Sequence, residues 1–246
     1  MLYLAERADQ MQQSVNTGLP FLKKSRTEQV SPISVVGYGP SLLDTWKSIT
    51  HPIIATSGAY DFLVSRDVIP DYYVAIDPQK HTVGLLRNPQ LETSYLMASC
   101  LHPDFWSLLE GYSVKLWHLI NGEDFTTIDW VKQHHPSGMD CLIGGGSTVA
   151  QRAMNVAAWM GYRRFNIFGM DCSFTANRHA GEHTGEAQST IHVDIAGRTF
   201  KTTPQLIQSA QEMQQFLLTV DAEVIFHGDS LMSEIARTLQ PRKRAL

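Results

Sequence analysis

The sequence has 246 residues, of which 43% are hydrophobic and 18% are charged, and its formal net charge is −4. These values are typical of a globular chain with one substantial core and exclude a disordered protein. The slightly acidic balance also argues against nucleic-acid binding, which usually requires a basic surface.

Two further features of the sequence concern its compartment. No stretch reaches the ~20 apolar residues of a membrane span, and the N-terminal residues lack the apolar character of a secretory signal. The three cysteines are widely spaced and match neither a disulfide framework nor a metal-binding motif. We therefore expect a cytoplasmic protein without a membrane partner.

The predicted elements begin with an amphipathic helix over residues 2–22, interrupted at Gly18-Leu19-Pro20. From residue 33 onward, short apolar runs alternate with amphipathic segments. The apolar runs predict strands at 33–36, 52–56, 71–76, 94–99, 114–120, 164–168 and 223–226. The amphipathic segments predict helices at 41–46, 59–65, 105–109, 147–160, 204–220 and 231–239.

This alternation predicts an α/β fold, with a doubly wound, mostly parallel sheet and helices on both faces. We expect residues 1–32 to form an N-terminal helical extension and residues 33–246 to form one domain. Ligands of such sheets bind at the carboxyl ends of the strands. The strand ends at residues 37–41, at Ser57-Gly58, at Asp77 and at Asp171 should therefore converge in space.

The first of these strand ends is Gly37-Tyr38-Gly39-Pro40-Ser41, here called the 37–41 turn. Two glycines allow close approach of a ligand to the backbone, and the following helix start would present free N–H groups to a phosphate. A purely structural turn is the alternative. A dinucleotide site is excluded, because Leu42 replaces the third glycine and the ribose-binding acid is missing near residue 57.

A second glycine-rich turn, Gly144-Gly145-Gly146-Ser147-Thr148, precedes the longest predicted helix. It lacks the lysine of a Walker-type loop, which excludes that class of nucleotide site. Gly145, Gly146, Ser147 and Thr148 either contact the ligand or cap the helix, with Ser147 as the N-cap.

Asp77 and Asp171 each follow a strand at the expected ligand edge. An aspartate in this position can bind Mg²⁺, hold a ribose or act as a base. It can equally cap the next helix, and Asp77-Pro78 suits capping because proline is tolerated at the first helical position.

Residues 171–201 are predicted to be irregular and contain His179, His183 and His192. Long ordered loops often act as lids or binding loops. Residues 179–183 match the H-x-x-E-H zinc pattern, but Gly181 makes the required helix unfavourable, so we predict no zinc site at these histidines. The histidines are candidates for a general acid or base, or they are surface residues. His134-His135 is predicted to be a loop.

Several motifs together resemble the 6-hydroxymethylpterin diphosphokinase MptE-like family, which includes the core domain of Maf-type flagellin glycosyltransferases. Some of them are also similar to motifs of Campylobacter-type sialyltransferases, which use a CMP-sugar. The resemblance extends from residue 33 to residue 230. Its motifs are residues 35–42, Ile69-Pro70-Asp71 leading to Asp77-Pro78, residues 145–150, and Gly169-Met170-Asp171.

The resemblance implies a Rossmann-like fold with nucleotide phosphates at Gly37, Gly39, Pro40 and Ser41, and with residues 145–148 and Asp171 in the same cleft. Two departures concern the reaction. Residues 75–79 lack one carboxylate of the archaeal pterin kinases, and residues 199–201 lack the catalytic histidine of the sialyltransferases. His179, His183 and His192 are the remaining candidates for the base.

The resemblance favours a transferase that uses a nucleotide-activated sugar, either CMP- or UDP-linked. The 37–41 turn and Ser57 would bind the nucleotide, Asp77 and Asp171 would order it, and a histidine would deprotonate a hydroxyl acceptor. One alternative is a diphosphokinase that uses ATP and Mg²⁺ at Asp77 and Asp171. Another is a nucleotide-binding protein without catalysis. No other cofactor is expected, and a homo-oligomer is compatible with the sequence.

Overall fold

The computed structural model describes residues 4–121, 125–175, 180 and 189–243. Its strands are β1 (Ile33–Val36), β2 (Ile53–Thr56), β3 (Tyr72–Ala75), β4 (Ser94–Ala98), β5 (Ser113–Leu119), β6 (Leu142–Ile143), β7 (Arg164–Phe168), β8 (Ile191–Ile195), β9 (Arg198–Thr202) and β10 (Glu223–Phe226). Its α-helices are α1 (Leu4–Asn16), α2 (Leu42–Thr45), α3 (Gly58–Val64), α4 (Asp104–Leu108), α5 (Phe125–His134), α6 (Val149–Trp159), α7 (Pro204–Thr219) and α8 (Leu231–Lys243). Short 3-10 helices span Trp46–Ser48, Lys80–Leu85 and Pro136–Cys141.

Within the described residues, eight strands form one sheet in the order β10-β7-β1-β2-β3-β4-β5-β6. Every neighbouring pair is parallel, which confirms the predicted α/β, doubly wound fold. The chain adds strands on one side of β1 as far as β6, and β7 then pairs with the other side of β1. The strand order therefore reverses between β1 and β7, the position where open parallel sheets form ligand clefts.

Helices cover both faces of the centre of this sheet. Every residue of β1 and β2 is buried, which requires a layer of structure on each side. Both α3 and α6 pack against β2. Because crossovers between parallel strands are right-handed, the reversal at β7 places α6 on the face opposite to α3.

Helix α1 lies across the carboxyl ends of β4 and β5. The Ser14 hydroxyl donates to the Ser99 carbonyl after β4 (2.6 Å), and the Arg7 guanidinium donates to the Leu119 carbonyl at the end of β5 (2.8 Å). The N-terminal segment is thus docked on the ligand edge of the sheet. The division of the chain at residues 32 and 33 stays a prediction.

The helix predicted over residues 2–22 is shorter in the structure and ends at Asn16. Gly18 has a φ of +70°, a left-handed conformation that ends helices. The following segment joins the sheet instead, because Leu22 donates its N–H to the Leu116 carbonyl in β5 (2.7 Å).

The prediction that residues 171–201 are irregular was partly wrong. Strands β8 and β9 form an antiparallel hairpin joined by Ala196 and Gly197, whose φ angles are +51° and +79°. Two consecutive positive φ angles are typical of a tight hairpin turn, which glycine favours. The loop prediction for His134-His135 was also partly wrong, because α5 ends at His134.

The buried His118 lies behind this helix and contacts the half-buried His135. The ring of His118 accepts or donates one hydrogen bond with the Ser99 hydroxyl (2.8 Å) and another with His135 (2.9 Å). Burial, and secondarily the neighbouring His135, lowers the pKa of His118 to about 3. His118 is therefore neutral at physiological pH and contributes to packing rather than to the charge of the cleft.

Two further observations concern the cysteines and the helices of the described residues. Cys100, Cys141 and Cys172 are buried and carry free thiols. Among the helices of the described segments, none has both the length and the apolar character that crossing a membrane requires.

Candidate functional site

A cleft of about 1130 Å³ opens at the carboxyl edge of the sheet, next to the reversal of strand order. Residues 37–40 after β1, 56–58 after β2 and 169–174 after β7 line it, together with side chains of α3 and of residues 81–88. Ligand sites of proteins usually have volumes of about 300–1,000 Å³. The volume of this cleft lies slightly above that range.

The loops after β1 and β7 are fastened to each other at the base of this cleft. The Gly39 N–H donates to the Gly169 carbonyl (2.7 Å). The Ser41 N–H donates to Asp171 Oδ2 (2.7 Å), and the Ser41 hydroxyl donates to Asp171 Oδ1 (2.5 Å). We call this set of contacts the β1–β7 junction.

Close approach at the junction explains the two glycines of the 37–41 turn. A Cβ atom at Gly37 would lie 2.7 Å from the Gly169 carbonyl oxygen. A Cβ atom at Gly39 would lie 2.6 Å from that oxygen and 2.6 Å from Asp171 Oδ2. The glycines are therefore required by the approach of one loop to the other, independently of any ligand.

The expectation that this turn offers free N–H groups was wrong. The N–H groups of Gly39 and Ser41 donate within the junction, and those of Leu42 and Leu43 donate to carbonyls of the same turn. Pro40 has no N–H, and the following helix α2 has only 4 residues. Gly37, Gly39 and Pro40 line the cleft, whereas the buried Ser41 is committed to Asp171.

Asp171 lies at the surface of the cleft, and the pKa of its carboxyl is strongly shifted. Its side chain lines the cleft although the residue is only 4% exposed. Burial raises the pKa of its carboxyl from the ordinary 3.8 to about 6, against the opposing effect of the two hydrogen bonds from Ser41. A buried carboxyl with such a pKa in a cleft is typical of functional sites.

Ser57 lies where it was predicted, at the end of β2 and in the lining of the cleft. Its backbone has a φ of +47°, which is unusual for serine, and its hydroxyl does not cap α3. The ring of Tyr38 packs against Gly58, the residue after Ser57, since a Cβ at Gly58 would lie 2.6 Å from Tyr38 Cε1. Ser57 and Tyr38 therefore form adjoining parts of the cleft surface.

The wall of the cleft formed by α3 and residues 81–88, here called the α3 wall, carries charges that the sequence analysis missed. Arg66, Arg87, Asp61 and His81 all line it. Asp61 lies within the predicted helix 59–65, and Arg66 follows α3, which ends at Val64. His81 lies on the 3-10 helix Lys80–Leu85, which the sequence did not predict. Arg87 lies in a loop, where no periodicity indicates it.

The 144–148 turn lies mainly outside the cleft. Thr148 lines the cleft and caps α6, exchanging hydrogen bonds with Gln151 in a capping box. The predicted N-cap Ser147 was therefore wrong by one residue, and the Ser147 N–H donates to the Gln151 side chain (2.9 Å). Gly145, Gly146 and Ser147 are not among the described residues that line the cleft.

Asp77 does not join Asp171 in the cleft lining formed by the described residues. It is exposed, and its Oδ1 accepts the Gln79 N–H (3.0 Å) in a local turn. The prediction that Pro78 begins the next helix was wrong, because that 3-10 helix begins at Lys80. Gln10 of α1 donates to the Pro78 carbonyl (3.2 Å), so α1 occupies this end of β3.

Of the three predicted catalytic histidines, His179 and His183 lie outside the described residues. His192 is exposed on β8 and is not among the described residues lining the cleft, whereas the exposed His81 is. Among the residues that the structure describes, no group of three or more His, Cys, Asp or Glu side chains could hold a metal ion.

The architecture is shared with a solved structure, the MAF glycosyltransferase from Magnetospirillum magneticum AMB-1. The two superpose with a TM-score of 0.69 at 16% sequence identity. The match covers 92% of this chain but only 37% of that chain, so it shows a common fold for one part of a longer protein.

Sequence comparison gives the family. No curated protein matches the chain. Residues 4–177 match the family described as 6-hydroxymethylpterin diphosphokinase MptE-like, and this match spans more than half of the sequence. The resemblance in the motifs is thus confirmed, and the chain belongs to the MptE-like family.

Proposed function

We propose that this chain is a transferase that moves a glycosyl group from a nucleotide-activated sugar to a hydroxyl acceptor. The position of the cleft carries the proposal, because it lies at the reversal of strand order where doubly wound sheets bind nucleotides. The family description names a diphosphokinase, and the solved neighbour is named a glycosyltransferase. Both names denote the transfer of a group from one substrate to another.

Pyrophosphoryl transfer from ATP is the second candidate and would use Mg²⁺ held by carboxylates. The described residues do not fit that ion well. Both oxygens of Asp171 accept hydrogen bonds from Ser41, and Asp77 lies outside the described lining of the cleft. We therefore derive no step through Mg²⁺ and favour glycosyl transfer.

In the proposed reaction, the acceptor oxygen attacks the anomeric carbon of the sugar. The bond from that carbon to the phosphate oxygen breaks, and the nucleotide leaves with the bonding electrons. A base must take the proton of the acceptor hydroxyl. His81 suits this role, because it lines the cleft and is exposed, while Asp171 fixes the 37–41 turn through Ser41.

Replacement of His81 by glutamine should lower the transfer rate by about 100-fold or more, since general-base catalysis contributes about 10²–10⁴-fold. The dissociation constant of the nucleotide should not change. Steady-state kinetics and nucleotide titration measure the two effects. His192→Gln, an exposed position on β8, is the matched control and should keep the rate within about twofold. A full rate in His81→Gln would place the base elsewhere, with His179 and His183 as the next candidates.

A thermal-shift screen of CMP, UDP, GDP, ATP and their sugar conjugates, each with and without Mg²⁺, tests the function itself. A nucleotide at 100 times its dissociation constant should stabilise the folded state by about 2.7 kcal/mol. We expect turnover of a nucleotide-sugar without Mg²⁺. A strict requirement for Mg²⁺ with ATP would favour the diphosphokinase, and a thermal shift without turnover would favour a binding protein. Failure of every nucleotide to bind would contradict the proposal.

A further inference from the structure

The 37–41 turn is a poor place for a phosphate group. Its N–H groups at Gly39 and Ser41 are already bonded within the β1–β7 junction. The junction also presents the Asp171 carboxylate, which repels a phosphate once it is ionised. A phosphate bound in the cleft therefore needs donors from another part of its surface.

Arg66 offers such donors on the α3 wall. Its guanidinium carbon lies 3.6 Å from the centre of the Phe62 ring, and its Nη1 donates to the Phe62 carbonyl and to the Ser65 hydroxyl (both 3.0 Å). No salt bridge within the described part of the chain involves Arg66. The guanidinium is thus held in position by an aromatic ring, and its charge is not matched by a described carboxylate.

Arg87 supplies a second guanidinium whose ion pair is loose. Its side chain is 72% exposed, and its Nε lies 3.8 Å from Asp61 Oδ2. The Asp61 carboxylate accepts the backbone N–H groups of Arg87 (3.0 Å) and Asn88 (3.2 Å). Asp61 therefore fixes the backbone of this loop, and the guanidinium can turn toward a ligand.

Both guanidinium groups act on the same part of the cleft. The Phe62 ring that carries Arg66 lies edge-on to the Tyr38 ring, with 6.2 Å between the ring centres, and Arg87 lies beside Asp61, the residue before Phe62. In agreement with this placement, the charges of Arg87 and Arg66 oppose the rise that burial gives to the pKa of the Tyr38 phenol. Both charges therefore lie within electrostatic range of the Tyr38 ring, which packs against Gly58 beside Ser57. The Ser57 hydroxyl, which does not cap α3, adds a neutral donor at the same place.

We infer that Arg66, Arg87 and the Ser57 hydroxyl form an anion subsite on the α3 wall that binds the phosphate groups of a substrate. The inference deepens the proposed function and rests on it, because it takes the cleft to be the site of nucleotide-dependent transfer. Arginine suits this role, since its planar fork binds phosphate oxygens through two parallel hydrogen bonds. The phosphate belongs either to the nucleotide donor or to a phosphorylated acceptor.

Titration calorimetry with inorganic pyrophosphate tests the subsite without requiring turnover. The double variant Arg66→Gln/Arg87→Gln should bind pyrophosphate more weakly by about tenfold or more, because two charge-assisted contacts are lost. Arg66→Lys keeps the charge but loses the fork, and we expect it to weaken binding as well. Arg164→Gln is the matched control, because Arg164 begins β7 at the opposite edge of the sheet. Circular dichroism checks that each variant is folded.

Competition between ligands identifies the source of the phosphate. If it belongs to the nucleotide, UDP or CDP will displace pyrophosphate, and the double variant will lose affinity for the nucleotide but not for uridine or cytidine. If it belongs to the acceptor, pyrophosphate will bind in the presence of saturating UMP or CMP. Unchanged pyrophosphate affinity in the folded double variant, or no pyrophosphate binding by the unmodified protein, would overturn the subsite. If the arginine variants bind the nucleotide as tightly as the unmodified protein does, the subsite does not bind the phosphate of the nucleotide, and the proposed function still stands.

Discussion

Replacing Gly39 by alanine is expected to lower the free energy of unfolding by about 3 kcal/mol, at the upper end of the usual effect of overpacking. The added Cβ would lie 2.6 Å from both the Gly169 carbonyl oxygen and Asp171 Oδ2. Neither atom can move freely, because the first belongs to the backbone and the second accepts the Ser41 N–H. The β1–β7 junction must therefore open. Urea denaturation followed by circular dichroism measures the loss.

Gly84→Ala is the matched control for this substitution. Gly84 lies in the 3-10 helix Lys80–Leu85, and a Cβ there would meet no atom within 4 Å. Its unfolding free energy should stay within about 0.5 kcal/mol of that of the unmodified protein, as for most surface substitutions. Equal stability of Gly39→Ala and Gly84→Ala would show that the two loops do not approach as closely as described.

The substitution Asp171→Asn is expected to change the way in which stability depends on pH. Burial raises the pKa of the Asp171 carboxyl from 3.8 to about 6 in the folded protein. The stability contributed by its protonated form is therefore complete below pH 3.8 and is lost as the pH rises through about 6. Between these limits the free energy of unfolding of the unmodified protein should fall by up to about 3 kcal/mol relative to that of the asparagine variant. An asparagine side chain can keep both contacts with Ser41, because the hydroxyl can rotate to accept a hydrogen bond.

Denaturant titrations of both proteins at several pH values between 4 and 7 measure this difference. Asp44→Asn is the control, because the residue is exposed on α2 and its side chain is not one of the groups that form the junction. Its stability relative to the unmodified protein should stay constant over the same range. A constant difference for Asp171→Asn as well would mean that the carboxyl is not buried in the folded protein.

The sheet could be predicted from the sequence because its central strands are buried on both faces. Such strands are short continuous apolar runs, like Ile33–Val36, rather than alternating patterns. Their glycine and polar ends then indicate the ligand edge. Gly37, Ser57 and Asp171 were found in this way, and all three line the cleft.

The remaining features depend on contacts between distant parts of the chain. Both donors of Ser41 in the 37–41 turn are used by Asp171, which is 130 residues away in the sequence. Asp77 also follows a strand, but α1 packs at the end of that strand, β3. No residue close to Asp77 in the sequence indicates this contact. Arg87 reaches the cleft because Asp61, 26 residues earlier, fixes its backbone. Glycines identify a close approach of the backbone; they do not show whether a ligand or another loop makes it.

The central claim is that a nucleotide binds in the cleft beside the reversal of strand order. Hydrogen exchange followed by mass spectrometry, with and without the nucleotide that gives the largest thermal shift, tests it most directly. We expect protection in peptides covering residues 37–43, 56–66 and 169–174. Protection confined to the separate cavity of about 450 Å³ lined by Leu142, Asn155 and Phe216, or no protection at saturating nucleotide, would contradict it.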